Sequence, residues 1–330
     1  MIRNGVLIDD GFAEAFPMKG TRLIITAHNA EWARHAAVAA TGFATSVIAC
    51  GCEAAIEREL GADETPDGRP GISLLIFSMS GKELAKQIER RVGQCVLTCP
   101  TTAVYAGSVV SPSTGEYAGR PPEGARHGLG RPGAMPEGEA MPLGRNLRFF
   151  GDGWQISKVI AGQRYWRVPV MDGEFVAQES CYVVKGVGGG NLLLLCTDVD
   201  AALAAAEAAV AAMRCVPNVI MPFPGGVVRS GSKVGSKYAS LSASTNDAFC
   251  PSLRGLVPNS ELTPEIRCVM EIVIDGLSEA DVGAAMRAGM EAGIELGAAN
   301  GLLRIAAGNY GGKLGPFHFH LRKLLGEAQS

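Results

Sequence analysis

Apolar residues along the chain fall into short runs, separated by stretches in which they recur every three or four positions. This pattern predicts strands alternating with half-buried helices. LIIT (23–26) is a first apolar run, and Asn29 caps a helix that runs to about residue 40. TSVIAC (45–50) reads as a returning strand and ISLLIFSM (72–79) as another. Ser80-x-x-Glu83 then opens a helix whose Leu84, Ile88 and Val92 line one face, and VLT (96–98) returns as a strand. RYWRVPV and EFVAQ (164–178) form a hairpin with MDG at its turn. The later residues repeat the plan. LLLLC (192–196) is a strand, Asp198 caps an alanine-rich helix, RCVMEIVID (267–275) is a strand, Ser278 caps a helix to about 297, and LLRIAA (302–307) returns.

Each half therefore contains two strand–helix–strand units, the split βαβ layout. The expected fold is α+β, two ferredoxin-like lobes in tandem, over residues 1–168 and 169–330. A doubly wound Rossmann sheet is the alternative. It needs more consecutive crossovers than the chain offers, and it has no place for the 164–178 hairpin. One segment stands apart. Residues 107–145 are crowded with Gly and Pro and keep no hydrophobic period, so they read as a long surface loop or inserted linker within the first lobe.

Composition narrows the picture. Charged residues are 19% and hydrophobic residues 47% of 330, which suits a well-buried globular protein. Thirty Lys and Arg against 33 Asp and Glu give a net charge of −3, with none of the basic excess of a nucleic-acid binder. Nine cysteines without a CxxC pair point to reduced thiols in a cytoplasm. MIRNGVLIDDGF does not read as a signal peptide, and the apolar stretch at 201–213 is too short and alanine-rich to cross a bilayer.

The glycine-rich stretches decide less than they suggest. GVGGGN (186–191) has Asn where the dinucleotide fingerprint needs its third Gly, and a strand follows instead of a helix, so it reads as a tight turn. AAGNYGGKLG and VVRSGSK each miss positions of the phosphate loop, yet both pair Lys with Gly-rich backbone able to cradle an anion. ADETPDGRPG (62–71), with Arg69, serves equally as a structural turn or as a cleft wall. FHFH places His318 and His320 on one strand face with no third ligand in view, so a structural role outweighs a metal site.

The most unusual segment is 222–251. Arg229, Lys233 and Lys237 interleave there with Ser230, Ser232 and Ser236, and STND (244–247) follows. A polar loop this long inside a domain is usually functional. Its cations, hydroxyls and backbone N–H groups suit a carboxylate or phosphate. Thr245, Asn246 and Asp247 add short polar groups for a heterocycle edge. Glu271 stands out for another reason. On a strand it shares a face with Val269 and Val273, opposite Met270, Ile272 and Ile274. A carboxyl on an apolar face is costly unless paired or protonated, and desolvation lifts its pKa toward neutrality, as a general acid needs. A Glu paired with Arg or facing water fits the pattern equally well.

These stretches together resemble the formylmethanofuran–tetrahydromethanopterin N-formyltransferases. The likeness rests on DDGFAEAF (9–16), TGFATSVIAC (41–50), ETPDGRPG (64–71), GQCVLTCPT (93–101) and FFGDG (149–153). It continues through PFPGG (222–226), SKVGSKY (232–238), ASTNDAFCP (243–251), EIVIDGL (271–277) and AAGNYGGKLG (306–315). It spans nearly the whole chain except about 107–145, an insert that looks like the bacterial branch. The resemblance implies two lobes of ferredoxin-like units, a homotetramer as in the archaeal enzymes, and substrates bound at a subunit interface. It implies transfer of a formyl group between methanofuran and N5 of tetrahydromethanopterin, both cosubstrates, with no metal or tightly bound cofactor. It implies a partner hydrolase in bacteria and places the family's proposed catalytic carboxylate at Glu271.

The chemistry fits those residue types. A neutral amine attacks a formamide carbon, an oxyanion develops, and the leaving nitrogen takes a proton, so oriented donors and a proton shuttle suffice. Glu271 is the expected shuttle. Backbone N–H groups near Gly311–Gly312, or the amides of Asn246 and Asn309, are the expected oxyanion donors. Arg69, Arg229, Ser232, Lys233, Ser236, Lys237 and Lys313 are the expected partners of the coenzymes. The rival reading is a non-catalytic scaffold subunit that only binds a carboxylated coenzyme; an exposed Glu271 far from the basic loop would favour it.

Overall fold

The computed structural model describes residues 1–109 and 138–327. It separates into two compact units, Met1–Pro17 with Val187–Ser330, and Met18–Gly186. This division differs from the expected halves 1–168 and 169–330. The N-terminal residues pack with the C-terminal part, and 169–186 stay with the middle of the chain. The reason is that two strands are far longer than their apolar runs suggest. Phe12–Thr26 and Ser180–Cys196 each contain one of the boundaries.

In the unit formed by the two ends of the chain, the sheet order is Val219–Ile220, Cys268–Gly276, the later part of Ser180–Cys196, then Leu302–Ala306, all antiparallel neighbours. Val6–Ile8 adds parallel to Leu302–Ala306. Phe317–His320 pairs antiparallel with Phe12–Ala15 of the first long strand. Helices Val199–Met213 and Glu279–Leu296 cover one face, where Leu192, Leu194, Ile272 and Ile274 meet Ala205, Ala209, Val282 and Met286 in a continuous core. The small residues serve this packing. A Cβ at Gly289 would collide with the Met213 side chain of the neighbouring helix. Both predicted caps are in place. Asp198 accepts the N–H of Ala201 at 2.9 Å, and the Ser278 hydroxyl accepts that of Asp281 at 3.2 Å.

The other unit has the order Ala103–Ala106, the later part of Phe12–Thr26, Gly71–Ser78 and Glu53–Leu60, again antiparallel throughout. Ala30–Thr41 and Gly81–Arg91 supply its helices, capped by Asn29 and Ser80 as expected. The Gln163–Val170 and Gly173–Gln178 hairpin extends this sheet beside Ala103–Ala106.

Four local expectations are corrected. TSVIAC is not a strand: Ser46 caps a single helical turn, Val47–Cys50, and the strand is Glu53–Leu60. VLT is not one either. The preceding helix winds on through a π turn, Val92–Val96, which keeps Val92 and Val96 on the buried face, and the strand begins at Ala103. GVGGGN is no turn. It is the middle of Ser180–Cys196, bulged between Val187 and Gly190 in its pairing with Cys268–Gly276. Gly190 is required by close approach, since a Cβ there would lie 2.5 Å from Val282. The Gly/Pro-rich insert falls mostly outside the described residues. Its far end is not loop but a short strand, Glu139–Pro142, paired with Ser180–Val183. All nine cysteines are free thiols, and no described helix is long and apolar enough to cross a membrane.

Candidate active site

Glu271 sits in mid-sheet. Leu193 is its neighbour on one side, and Val228 forms an isolated bridge on the other through hydrogen bonds of 2.7 and 2.9 Å. Its side chain shares the face opposite the helices with Val269 and Leu193, near Phe249 and the apolar cluster of Leu195, Leu262 and Ile266. The residue is 8% exposed. Burial alone pushes its carboxyl up to about 7, with no cation set against it to bring it down.

A small cavity opens onto this carboxyl. Val228, Arg229, Ser230, Asn246, Phe249 and Cys250 wall it together with Glu271. The 222–251 segment therefore does fold over Glu271. Its cations are carried on a short hairpin, Lys233–Val234 against Ala243–Ser244. Lys233 is bound to Asp247 at 2.6 Å, an ion pair that holds the Asp247 carboxyl below its ordinary range and braces the hairpin. Among the described residues Arg229, Lys237 and Lys313 make no ion pair, and all three are exposed. Ser236 accepts the N–H of Tyr238 at 3.1 Å, and Thr245 lies 3.4 Å from the Cys250 thiol, so both hydroxyls shape the loop.

The 306–315 loop adds a residue that sequence reasoning passed over. The Tyr310 hydroxyl donates to the Ser232 carbonyl at 3.4 Å. Burial first, and then the charge of Glu271, raise its pKa. Only its place inside GNYGGK signals it in the sequence. Those glycines do not offer free donors. The N–H of Gly312 is given to Glu14 at 3.0 Å and that of Gly311 to Asn309 Oδ1 at 3.3 Å. The expected oxyanion role of these two N–H groups is therefore set aside. Asn246 lines the cavity and is the donor at hand, whereas the single proton of the Tyr310 hydroxyl is already given to the Ser232 carbonyl.

Arg69 belongs to the other unit, and its guanidinium is fully engaged there. It meets Asp67 at 2.8 Å, the Thr101 carbonyl at 2.6 Å and Thr26 at 3.0 Å. Tyr105 also donates to Asp67, at 3.1 Å. ETPDGRPG is thus a braced turn. His318 and His320 stack on Phe12, with centroids 4.6 and 5.2 Å away. A broader depression at Thr197, Asp200 and Ala298–Gly301 contains no comparable acid and adjoins only a helix cap.

Two family models match the chain. One, "FTR, proximal lobe", covers residues 173–324. The other, formylmethanofuran–tetrahydromethanopterin formyltransferase, covers 1–118 and 132–170. A relative of that name from Methylococcus capsulatus is 64% identical over 325 residues, 98% of this chain and 100% of the relative. This chain belongs to the formylmethanofuran–tetrahydromethanopterin formyltransferase family.

Solved formyltransferases share its fold. The chain matches the formyltransferase/hydrolase complex from Methylorubrum extorquens, crystallised with methylofuran, at 46% identity and a TM-score of 0.88, over 99% of each chain. It matches the formyltransferase of Methanosarcina barkeri at 43% identity and 0.85, over 98% of this chain and 100% of the other. The fold is thus the mixed α/β fold of the formyltransferases, and its antiparallel pairing rules out the doubly wound Rossmann alternative.

Proposed function

We propose that this chain moves a formyl group between N-formylmethanofuran, or an analogue of it, and N5 of tetrahydromethanopterin. The enzyme is an N-formyltransferase, and both coenzymes are cosubstrates. The observation that carries the mechanism is Glu271, buried and without a counter-ion, at the floor of a cavity rimmed by Arg229 and Asn246.

The N5 amine attacks the formyl carbon, and a new C–N bond forms while the carbonyl pair moves onto oxygen. The oxyanion takes a hydrogen bond from the Asn246 amide, and a second from the Tyr310 hydroxyl as that proton swings away from the Ser232 carbonyl. As the pair returns, the bond to the methanofuran nitrogen breaks, and that nitrogen takes the proton of the Glu271 carboxylic acid. The carboxylate recovers a proton from the N5 ammonium, so the exchange balances. A carboxyl that titrates near 7 is matched to both transfers. The exposed Arg229, Lys237 and Lys313 take the anionic parts of the two coenzymes, and Lys233, Ser232, Ser236, Thr245 and Asp247 hold the hairpin that presents Lys237. Burial of Glu271 beside this segment supports an enzyme over a coenzyme-binding scaffold. The deciding experiment is the absorbance change on mixing purified protein with formylmethanofuran and tetrahydromethanopterin. No transfer at micromolar enzyme would end the proposal.

The finer architecture belongs to the same reading. In each unit the fourth strand lies beside the first and the third between first and second, which supports two ferredoxin-like lobes. A homotetramer in the cytoplasm, able to join formyl-hydrolase subunits as the Methylorubrum extorquens relative does, completes it.

A further inference from the structure

The loop Gly308–Gly315 is held at both ends by side chains outside it. Asn191 receives the N–H of Gly308 at 2.6 Å and donates to its carbonyl at 3.2 Å. At the other end stands Glu14, 1% exposed and on the strand beside Phe317–His320. Its Oε2 accepts from Tyr310 at 2.8 Å and Gly312 at 3.0 Å; its Oε1 accepts from Leu314 and from Gly315 at 2.9 Å. No cation pairs with Glu14 among the described residues. Burial alone would raise its pKa, but the four N–H donors outweigh that and hold the carboxyl below its ordinary range. Gly311 and Gly312 adopt φ of 80° and 69°, the left-handed geometry that turns successive N–H groups inward. Gly315 lies so tightly on the strand that a Cβ would run into the Ala15 carbonyl. The anion cradle suggested by the sequence exists, and the protein fills it with its own carboxylate.

We propose that Glu14 is a positioning residue for formyl transfer: by gathering the N–H groups of Tyr310, Gly312, Leu314 and Gly315, it fixes the loop that sets the Tyr310 hydroxyl against the Ser232 carbonyl, in the segment that folds over Glu271. The inference rests on the proposed function for its reaction, but not for its geometry. A neutral residue at position 14 leaves all four N–H groups without a charged acceptor, so the loop loosens and the phenol drifts. A misplacement of about 1 Å costs about 100-fold in rate.

The test uses the full chain. Glu14→Gln keeps the volume but turns an amide donor toward N–H groups that need an acceptor. Expected are wild-type assembly, faster hydrogen exchange at amides 310–315, a kcat about 100-fold lower with KM changed much less, and no added loss when Glu14→Gln is placed on Tyr310→Phe. Unchanged exchange, or losses that multiply in the double variant, would overturn the proposal. Should Glu14→Gln fail to fold, Tyr310→Phe decides alone: a kcat within twofold of wild type removes the reason for the anchor. Absence of transfer by the wild-type chain would sink the function, while the exchange measurement still judges the anchor.

Discussion

Glu271 is where burial becomes chemistry. The folded chain favours its neutral acid, with a pKa of about 7 against an ordinary 4.5. Between those values the unfolded chain releases its proton and the folded one does not. The cost to stability therefore begins near pH 4.5 and is complete above pH 7. Glu271→Gln removes the ionisable group, so it is expected to raise stability at pH 8 by about 3 kcal/mol and to change nothing at pH 4. Urea unfolding at the two pH values checks this. The same substitution is expected to lower turnover by about 100-fold or more. In the wild-type enzyme kcat falls as pH rises through about 7, because the acid form of Glu271 protonates the leaving nitrogen. Arg229 lines the same cavity, but burial alone sets the position of this limb. A flat profile in Glu271→Gln and a falling one in wild type assign the limb to this residue.

At the scale of elements, the cationic hairpin separates bracing from binding. Lys233 is tied to Asp247, whereas Lys237 is exposed with no ion pair among the described residues. Lys237→Ala is accordingly expected to raise the KM of a coenzyme several-fold, more at low salt than at high, with kcat unchanged; initial rates at two ionic strengths show it. Ser278→Ala removes a helix cap away from the chemistry and is expected to cost about 1 kcal/mol with activity intact, measured by thermal unfolding and a rate assay. Caps and helix faces were readable in the sequence because they depend on neighbours three or four residues away, as Asn29, Ser80, Asp198 and Ser278 show. The π turn at Val92–Val96 and the bulge at Gly190 were not, because their causes are remote: the buried side chains around Val96, and Val282 pressing on Gly190. Glu271 was legible as an apolar-face carboxyl. Tyr310 was not, since its position depends on Glu14, far away in sequence.

For the molecule as a whole, the proposed assembly has a physical counterpart. Phe149, Phe150, Trp154 and Met171 are all largely exposed in the middle unit, and Trp154 is 80% so. Large apolar side chains left this exposed suit a subunit contact. Trp154→Lys is expected to lower the mass seen by light scattering, and an unchanged mass would place the proposed contact elsewhere. One further consequence follows from the way Met1–Pro17 completes the unit built from Val187 onward. The opening segment docks on partners far downstream of it in sequence, among them helix Glu279–Leu296, strand Leu302–Ala306 and loop Gly308–Gly315. The loop beside the chemistry is therefore set only after the whole intervening middle unit has been made and these distant segments have met.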